Sequence, residues 1–159
     1  MTTRINTGLT TETRQALAEG LSKVLADTYA TYQKTHGFHW NVRGLAFQSL
    51  HQLFSDQYNE MWTALDEIAE RIRALGELAP QSGAAYGNLT SIRDGDPASA
   101  AEAIVATLKD DQETVIATLR AVLDAANEAG DAVTADLCTR RLDAHEKHAW
   151  MLRATLGEV

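Results

Sequence analysis

Apolar side chains recur at helical spacing along four long segments of this chain. The first segment, about 10–39, carries its stripe at Leu17, Leu21, Val24, Leu25, Thr28 and Tyr32. The second, about 47–75, has a longer stripe at Leu50, Phe54, Tyr58, Met61, Leu65, Ile68, Ala69 and Ile72. The third and fourth span about 97–127 and 131–156. Because positions about 3.6 residues apart share one helix face, the pattern predicts four amphipathic helices.

Glycine and proline mark where these helices end and begin. Glycines follow the first three segments, at Gly44, Gly76 and Gly130. The breaker-rich stretch 76–97 predicts a long connection, with one short helix at about 89–93. Asp96 followed by Pro97 predicts an N-cap and the first helical residue of the third helix. Thr10 is the predicted N-cap of the first.

Four amphipathic helices without a strand pattern predict an all-α fold, a four-helix bundle. The long connection lets the second and third helices run parallel, so the chain crosses over between them. Bundles with one long crossover are typical of ferritin-like proteins, which often hold metals in their cores. We expect one domain over residues 1–159, with a short N-terminal tail at 1–9.

Composition narrows the class of protein and its compartment. The chain has 159 residues, a formal net charge of -8 and a pI near 5.0, which argue against broad electrostatic binding of nucleic acid. Its single cysteine, Cys138, excludes an intrachain disulfide and is predicted to be a small core residue. With no secretory h-region and no run of about 18 apolar residues, the sequence predicts a cytoplasmic protein without membrane segments.

The usual metal motifs of helical proteins are missing. A di-iron site inside a bundle needs Glu-x-x-His pairs, and the sequence contains none. The stretch HEKHA places His145 and His148 three residues apart, whereas a zincin helix needs histidines four apart. We interpret this pair as a solvated or capping feature near the end of the last helix.

Four other residues remain candidates for metal binding: His39, His51, Asp66 and Glu70. Asp66 and Glu70 are four residues apart, so their carboxylates share one helix face. Taken alone, the two carboxylates are better interpreted as a solvated acidic ridge on an amphipathic helix, with which Arg71 and Arg73 could pair.

Helix length decides how these candidates can meet. His51 and Asp66 are 15 residues apart on one predicted helix, which is roughly 22 Å. They are therefore unrelated, or they complete a site only with a second copy of the chain. In a two-fold dimer with antiparallel second helices, each His51 approaches the partner's acidic end, and His39 joins it across the helix break. Two imidazoles and two carboxylates suit iron.

A longer pattern gives this constellation a family context. The sequence reads HWNVRGLAFQSLH from His39 to His51, then DEIAER from Asp66. Together with DAVTAD at 131–136 and KHAWMLRATLG at 147–157, this pattern resembles the Dps family, the miniferritins or DNA-protection-during-starvation proteins. The resemblance extends over essentially the whole chain, including the long connection.

The resemblance implies a hollow homo-dodecamer with ferroxidase centres at its two-fold interfaces. In each centre His39 and His51 would come from one chain, and Asp66 and Glu70 from the other. Such proteins oxidise Fe(II) to Fe(III), preferably with hydrogen peroxide rather than dioxygen, and store ferric mineral in the cavity. Zinc and other divalent metals can substitute. Removing Fe(II) and peroxide together protects DNA from oxidative damage.

One position departs from the family pattern. The family usually has an acidic residue four positions after the second histidine, where this chain has Ser55 followed by Asp56. A shift of one residue turns a side chain by about 100° around a helix. Asp56 could still reach the centre through water, so we expect one firm iron position per centre and a second, water-rich one.

The resemblance also suggests roles around the centre. Trp40 is either a packing residue or a ring that shields the centre and takes up an oxidising equivalent. His36 is interpreted as a neighbour of the ligands rather than a ligand. Asp131 and Asp136 match acidic positions that line three-fold entry pores, where negative charge concentrates Fe(II). Asp131 is also a candidate N-cap.

Two other functions remain open on sequence alone. One is a DNA-condensing structural protein with a weak or vestigial iron site. Some family members bind DNA through lysine-rich tails, but the N-terminal tail here offers only Arg4, so direct duplex binding is expected to be weak. The other is a helical bundle that binds partner proteins and uses the four candidate residues structurally.

Overall fold

A computed structural model of the chain describes residues 5–158, and every regular element in that range is a helix. The helices are α1 (Thr11–Asn41), α2 (Phe47–Ala74), α3 (Gly83–Leu89), α4 (Ala101–Glu128) and α5 (Ala132–Leu156). The all-α prediction and the four long helices are confirmed. Residues 1–4 of the predicted tail lie outside the described range.

The long helices pack as two pairs, α1 on α2 and α4 on α5, with α1 also lying along α4. Arg14 near the start of α1 donates from Nη1 to the carbonyl oxygen of Leu75 at 2.7 Å, so α1 and α2 are antiparallel. Arg43, just before α2, donates to the carbonyl oxygen of Ala98 at 3.0 Å. The chain therefore enters α4 at the end where α2 begins, and the predicted crossover between parallel helices is confirmed.

The helix starts agree with the predictions in two places. The Thr10 side chain accepts the backbone N–H of Thr13 at 3.2 Å and caps α1. The Asp131 side chain accepts the N–H of Thr134 at 3.2 Å and caps α5. Both interactions satisfy a backbone donor that has no partner within the helix.

The crossover has its short helix, but earlier than predicted. The expected helix at 89–93 is wrong, because α3 ends at Leu89 and Thr90 is extended. Ser82 caps the start of α3 through the N–H of Ala85 at 3.1 Å. Beyond it, the buried carboxylate of Asp27 accepts the Thr90 hydroxyl at 2.8 Å and the Ser91 N–H at 2.7 Å, which holds this segment extended against α1.

The predicted start of α4 is also wrong. Asp96 and Pro97 form a turn that precedes the helix, and the N-cap is Ala100. The Asp96 carboxylate accepts the N–H of Ala98 at 2.9 Å, and its carbonyl oxygen accepts the N–H of Ser99 at 3.1 Å. This local bonding closes an Asx-type turn, a conformation that competes with helix initiation at aspartate.

The bundle interior contains two apolar clusters separated by a buried polar layer. One cluster surrounds Leu21 and Leu119, the other Phe54 and Leu108. The polar layer between them comprises Gln57, Gln112, Arg141, His145 and His148, all buried. Cys138 lies buried and unpaired in the first cluster, as predicted.

The polar layer corrects the interpretation of HEKHA as a solvated feature. His145 is fully buried, and its Nδ1 lies 2.6 Å from Oε1 of Gln112 while its Nε2 accepts from Arg141 at 3.1 Å. Arg141 in turn forms a bidentate ion pair with Glu60. Burial lowers the pKa of His145 well below its usual value, and that of His148 to about 4. Both rings are therefore neutral at pH 7.

Among the described residues, no helix combines the length and apolar character needed to cross a bilayer.

Candidate metal centre

The break between α1 and α2 brings two histidine rings face to face. His39 lies in the last turn of α1 and His51 in the first turns of α2. Gly44 in the intervening loop has a φ of 111°, in the left-handed region that favours glycine, and lets the chain reverse there. The two rings stack with centroids 3.6 Å apart and planes 16° from parallel. The predicted approach of His39 to His51 is present within one chain.

Hydrogen bonding sets which nitrogen of each ring is free. Nδ1 of His39 lies 2.7 Å from the carbonyl oxygen of His51, and Nδ1 of His51 lies 2.7 Å from the carbonyl oxygen of His39. A carbonyl oxygen only accepts, so each Nδ1 carries the hydrogen. In the neutral rings the lone pair therefore lies on Nε2, which is the arrangement metal-binding histidines use.

The two acidic candidates lie on the same helix as His51. Asp66 and Glu70 are exposed and face away from the bundle interior. Because α2 is one continuous helix, Asp66 lies roughly 22 Å along the axis from His51. The structure thus brings the histidines together and the carboxylates together, but keeps the two groups apart within a chain.

The neighbouring arginines do not pair with these carboxylates, so the predicted pairing is wrong, whereas both acidic side chains are exposed as a solvated ridge requires. Arg71 donates to Asp131 at 2.7 Å and to the hydroxyl of Thr134 at 2.9 Å. Arg73 donates to the carbonyl oxygen of Glu77 at 2.7 Å. Asp66 takes part in none of the ion pairs formed within residues 5–158.

Within the described part of a single chain, no three His, Cys, Asp or Glu side chains converge on a common point. The four-residue centre therefore stays a prediction that requires a second copy of the chain.

Aromatic residues surround the histidine pair. Tyr58 of α2 approaches His39 edge-on at 5.2 Å and stacks on His36 at 4.0 Å, with ring planes 19° apart. Burial, followed by the proximity of His39, lowers the pKa of His36. Trp40 packs against His36 at 4.3 Å but is 65% exposed, so it is not a core residue of the single chain. The helical spacing predicted Tyr58 only as a member of the apolar stripe of α2, not as a neighbour of the histidines.

Ser55 and Asp56 differ in where they lie on α2. Ser55 is four residues beyond His51, on its face of the helix, and is half-buried. Asp56 is exposed, and its carboxylate accepts a hydrogen bond from Gln52 at 2.8 Å. The carboxylate of Asp56 is therefore bonded to Gln52 and does not lie at position 55, where the family usually has its acidic residue.

The two predicted pore residues are both partnered by arginine. Asp131 is buried, caps α5 and accepts two bonds from Arg71, and its hydrogen bonds with Thr134 and Arg71 outweigh burial and lower its pKa. Asp136 is exposed and lies 2.9 Å from Arg140. That both residues line an entry pore stays a prediction; of the two carboxylates, that of Asp136 is exposed in the single chain.

Comparison with known proteins agrees with this fold. The ferritin-like domain family matches residues 18–159. A Dps protein structure from Vibrio cholerae O1, described as a member of a superfamily of ferritin-like diiron-carboxylate proteins, superimposes with a TM-score of 0.92 at 30% identity, covering 98% of this chain and 99% of that one. The chain is therefore a ferritin-like protein.

Sequence relatives narrow the class further. A DNA protection during starvation protein from Bacillus anthracis is 37% identical over 140 residues, covering 88% of this chain and 96% of the relative. A low temperature-induced protein of Nostoc is 41% identical over 154 residues, covering 95% of this chain and 86% of the relative. The chain belongs to the Dps family of ferritin-like proteins.

Proposed function

We propose that this protein is a ferroxidase and iron store that protects DNA by removing Fe(II) together with hydrogen peroxide. The observation that supports it most directly is the His39–His51 pair, whose Nδ1 hydrogens are held by backbone carbonyls so that both Nε2 lone pairs are available. The fully buried His145, by contrast, engages both of its ring nitrogens.

The centre would form between two chains. A two-fold axis that sets the α2 helices antiparallel brings His39 and His51 of one chain to Asp66 and Glu70 of the other, and yields two equivalent centres. Two neutral imidazoles and two carboxylates are ligands suited to Fe(II), and zinc can compete for them. The assembly is proposed to be a dodecameric shell that retains the ferric product as mineral.

Charge supports chemical protection rather than direct DNA binding. The chain carries a net charge of -8, and a duplex would repel such a surface at physiological salt. The name that relatives share, DNA protection during starvation, is compatible with protection by removal of the reactants that generate hydroxyl radicals. Peroxide is the proposed oxidant because it forms those radicals with Fe(II).

Subunit complementation tests both the chemistry and the shared centre. One variant carries His39→Ala and His51→Ala, the other Asp66→Ala and Glu70→Ala, and each homogeneous shell should lack peroxide-driven Fe(II) oxidation. Shells reassembled from an equal mixture should recover about a quarter of the wild-type centres. Random pairing makes half of the dimers mixed, and each mixed dimer keeps one of its two centres.

Native mass spectrometry of each preparation controls for assembly, and Co(II) absorption counts the centres independently of oxidation. Failure of the mixed shells to recover any Co(II) sites would contradict the shared centre. Equal oxidation by wild type and both homogeneous variants would contradict the ferroxidase.

A further inference from the structure

A row of oxidisable rings lies between the two half-sites of each chain. On α2, Tyr58 and Trp62 occupy the helix face that begins at His51 and continues to Asp66, at spacings of seven, four and four residues. Tyr32 of α1 packs against both of them. These rings belong to neither apolar cluster of residues 5–158: Tyr58 and Tyr32 are half-buried, and Trp62 is 57% exposed.

The contacts in this row are continuous. His39 lies 5.2 Å from Tyr58, Tyr58 lies 6.2 Å from Tyr32, and Tyr32 lies 5.3 Å from Trp62, measured between ring centroids. Electron transfer slows exponentially with distance, so a row of neighbouring rings divides a transfer of roughly 22 Å along α2 into short steps. Each step is within the separation of ordinary aromatic pairs.

The row ends beside the acidic half-site. Trp62 and Asp66 line the same surface cavity, together with the stacked rings of Tyr29 and Tyr86. In the proposed dimer, Asp66 of this chain belongs to the other centre. One chain therefore joins the two centres of its dimer, with its histidines at one and its carboxylates at the other.

The ligands available at each proposed centre explain why electron transfer between the two centres would be needed. Two imidazoles and two carboxylates complete one four-coordinate metal site, and Ser55 adds no carboxylate. One Fe(II) supplies one electron, whereas reduction of hydrogen peroxide to water takes two. A peroxide that reacts at a single-iron centre leaves a hydroxyl-radical equivalent there.

We propose that the row Tyr58–Tyr32–Trp62 conducts one electron between the two centres of a dimer, so that two single-iron centres reduce one peroxide together. This inference rests on the proposed function. Fe(II) at the first centre cleaves the O–O bond, becomes Fe(III) and releases hydroxide. The remaining hydroxyl-radical equivalent takes an electron from the row and becomes a second hydroxide.

The oxidised row is then reduced by Fe(II) at the second centre, which becomes Fe(III), and the rings end unchanged. The two hydroxides take up two protons, so two Fe(II), one hydrogen peroxide and two protons give two Fe(III) and two waters. Tyr32 Oη and His36 Nδ1 lie 3.3 Å apart, which gives the phenolic proton a nearby acceptor while Tyr32 is oxidised and a route back afterwards.

The test measures electrons and escaping radicals in the assembled shell. Anaerobic shells receive one Fe(II) per centre and then limiting peroxide, and a nitrone spin trap reports hydroxyl radical. Wild type should oxidise two Fe(II) per peroxide with little spin adduct. Tyr32→Phe and Trp62→Phe keep a ring in place but remove the oxidisable group, so the ratio should fall toward one and the adduct should rise severalfold.

Trp150→Phe is the matched control. Trp150 is exposed to the same 57%, and it takes part in none of the ring contacts among residues 5–158. This variant should behave as wild type. The mixed dimers with one intact centre should resemble Trp62→Phe, because they lack the second iron.

Several outcomes separate the possibilities. If Tyr32→Phe and Trp62→Phe keep the ratio of two and release no additional radical, the conducting row is refuted while the ferroxidase stands. An equal effect of Trp150→Phe would also refute the row. If wild type binds Co(II) but does not oxidise Fe(II) with peroxide, the ferroxidase and the row are refuted together. Co(II) titration of each variant shows whether the centres themselves are intact.

Discussion

His39 and His51 lie at the surface break between α1 and α2, whereas His145 and His148 lie in the polar layer of the bundle interior. Both are histidine pairs on long helices, but their ring nitrogens differ in what they contact. His145 uses both nitrogens, one toward Gln112 and one toward Arg141. His148 is set apart by its burial, since its Nδ1 has no hydrogen-bond partner among residues 5–158. Each surface ring uses only Nδ1, toward a backbone carbonyl.

This difference teaches that burial and hydrogen-bond partners together, more than residue type or spacing, separate a structural histidine from a candidate ligand. A buried ring with both nitrogens engaged stabilises the fold and has no lone pair to offer. A half-exposed ring with Nδ1 fixed presents a preorganised Nε2. Substitutions in the two pairs should therefore act on different observables, stability for one and metal chemistry for the other.

The largest expected effect is on oxidation. His51→Ala combined with Asp66→Ala removes a ligand from each half of the centre, so peroxide-driven Fe(II) oxidation should fall by more than about 100-fold, beyond the range of outer-shell changes. Its rate is measured by the appearance of ferric absorbance. The unfolding free energy should fall by only about 1–2 kcal/mol, since Asp66 is exposed and the half-buried His51 loses one hydrogen bond to a backbone carbonyl. An unchanged rate would contradict the centre.

The opposite pattern is expected in the polar layer. His145→Ala leaves a cavity and deprives the buried amide of Gln112 and one Arg141 donor of their partner, which together should lower the unfolding free energy by about 2–4 kcal/mol. Urea unfolding measures this loss. Oxidation per folded chain should stay at the wild-type rate, and a selective loss of oxidation with normal stability would overturn the distinction.

Acid should reveal the buried pair through stability. Burial lowers the pKa of His148 from an ordinary 6.5 to about 4, so between these values the unfolded chain binds a proton that the folded chain does not. Stability should therefore fall as pH drops from 6.5 toward 4, by roughly 3 kcal/mol from this ring. His148→Gln should flatten the dependence of the unfolding midpoint on pH over that window. An unchanged slope would contradict this assignment.

Helix periodicity was sufficient to predict the bundle, since the stripes extend over many turns and the crossover follows from the length of its connection. The local errors occurred where side chains compete with helical bonding. Asp96 closes a turn with its own following N–H groups, and Asp27, 63 residues before Thr90 in sequence, fixes the crossover. A contact at that separation leaves no local signal in the sequence.

The candidate site was predictable to a similar extent. The spacing of His39, His51 and Asp66 indicated which residues could form it and that one chain could not complete it. The Nδ1 bonds to backbone carbonyls depend on the loop geometry around Gly44, so spacing alone could not predict them. HEKHA was interpreted wrongly because the buried position of His145 depends on Gln112, which lies across the bundle on α4, and on Arg141, which lies one turn earlier on α5.

The smallest expected effect is on the number of metal ions that each centre binds, and it concerns Ser55. Ser55→Asp places a carboxylate on the helix face of His51, one turn farther along α2, where it can hold a second metal. Co(II) titration should then show about two sites per centre rather than one, by comparison with wild type. If the second position fills, both electrons for peroxide come from the same centre.

Asp56 supplies the matched control for that change. Its carboxylate is exposed, turned about 100° from position 55 and bonded to Gln52, so Asp56→Ser should leave the Co(II) count as in wild type. In the Ser55→Asp background, Trp62→Phe should no longer release radical, because the conducting row is then dispensable. Persistent radical release from that double variant would show that the added carboxylate binds no iron. In that case the residue at position 55 does not determine how many metal ions the centre holds.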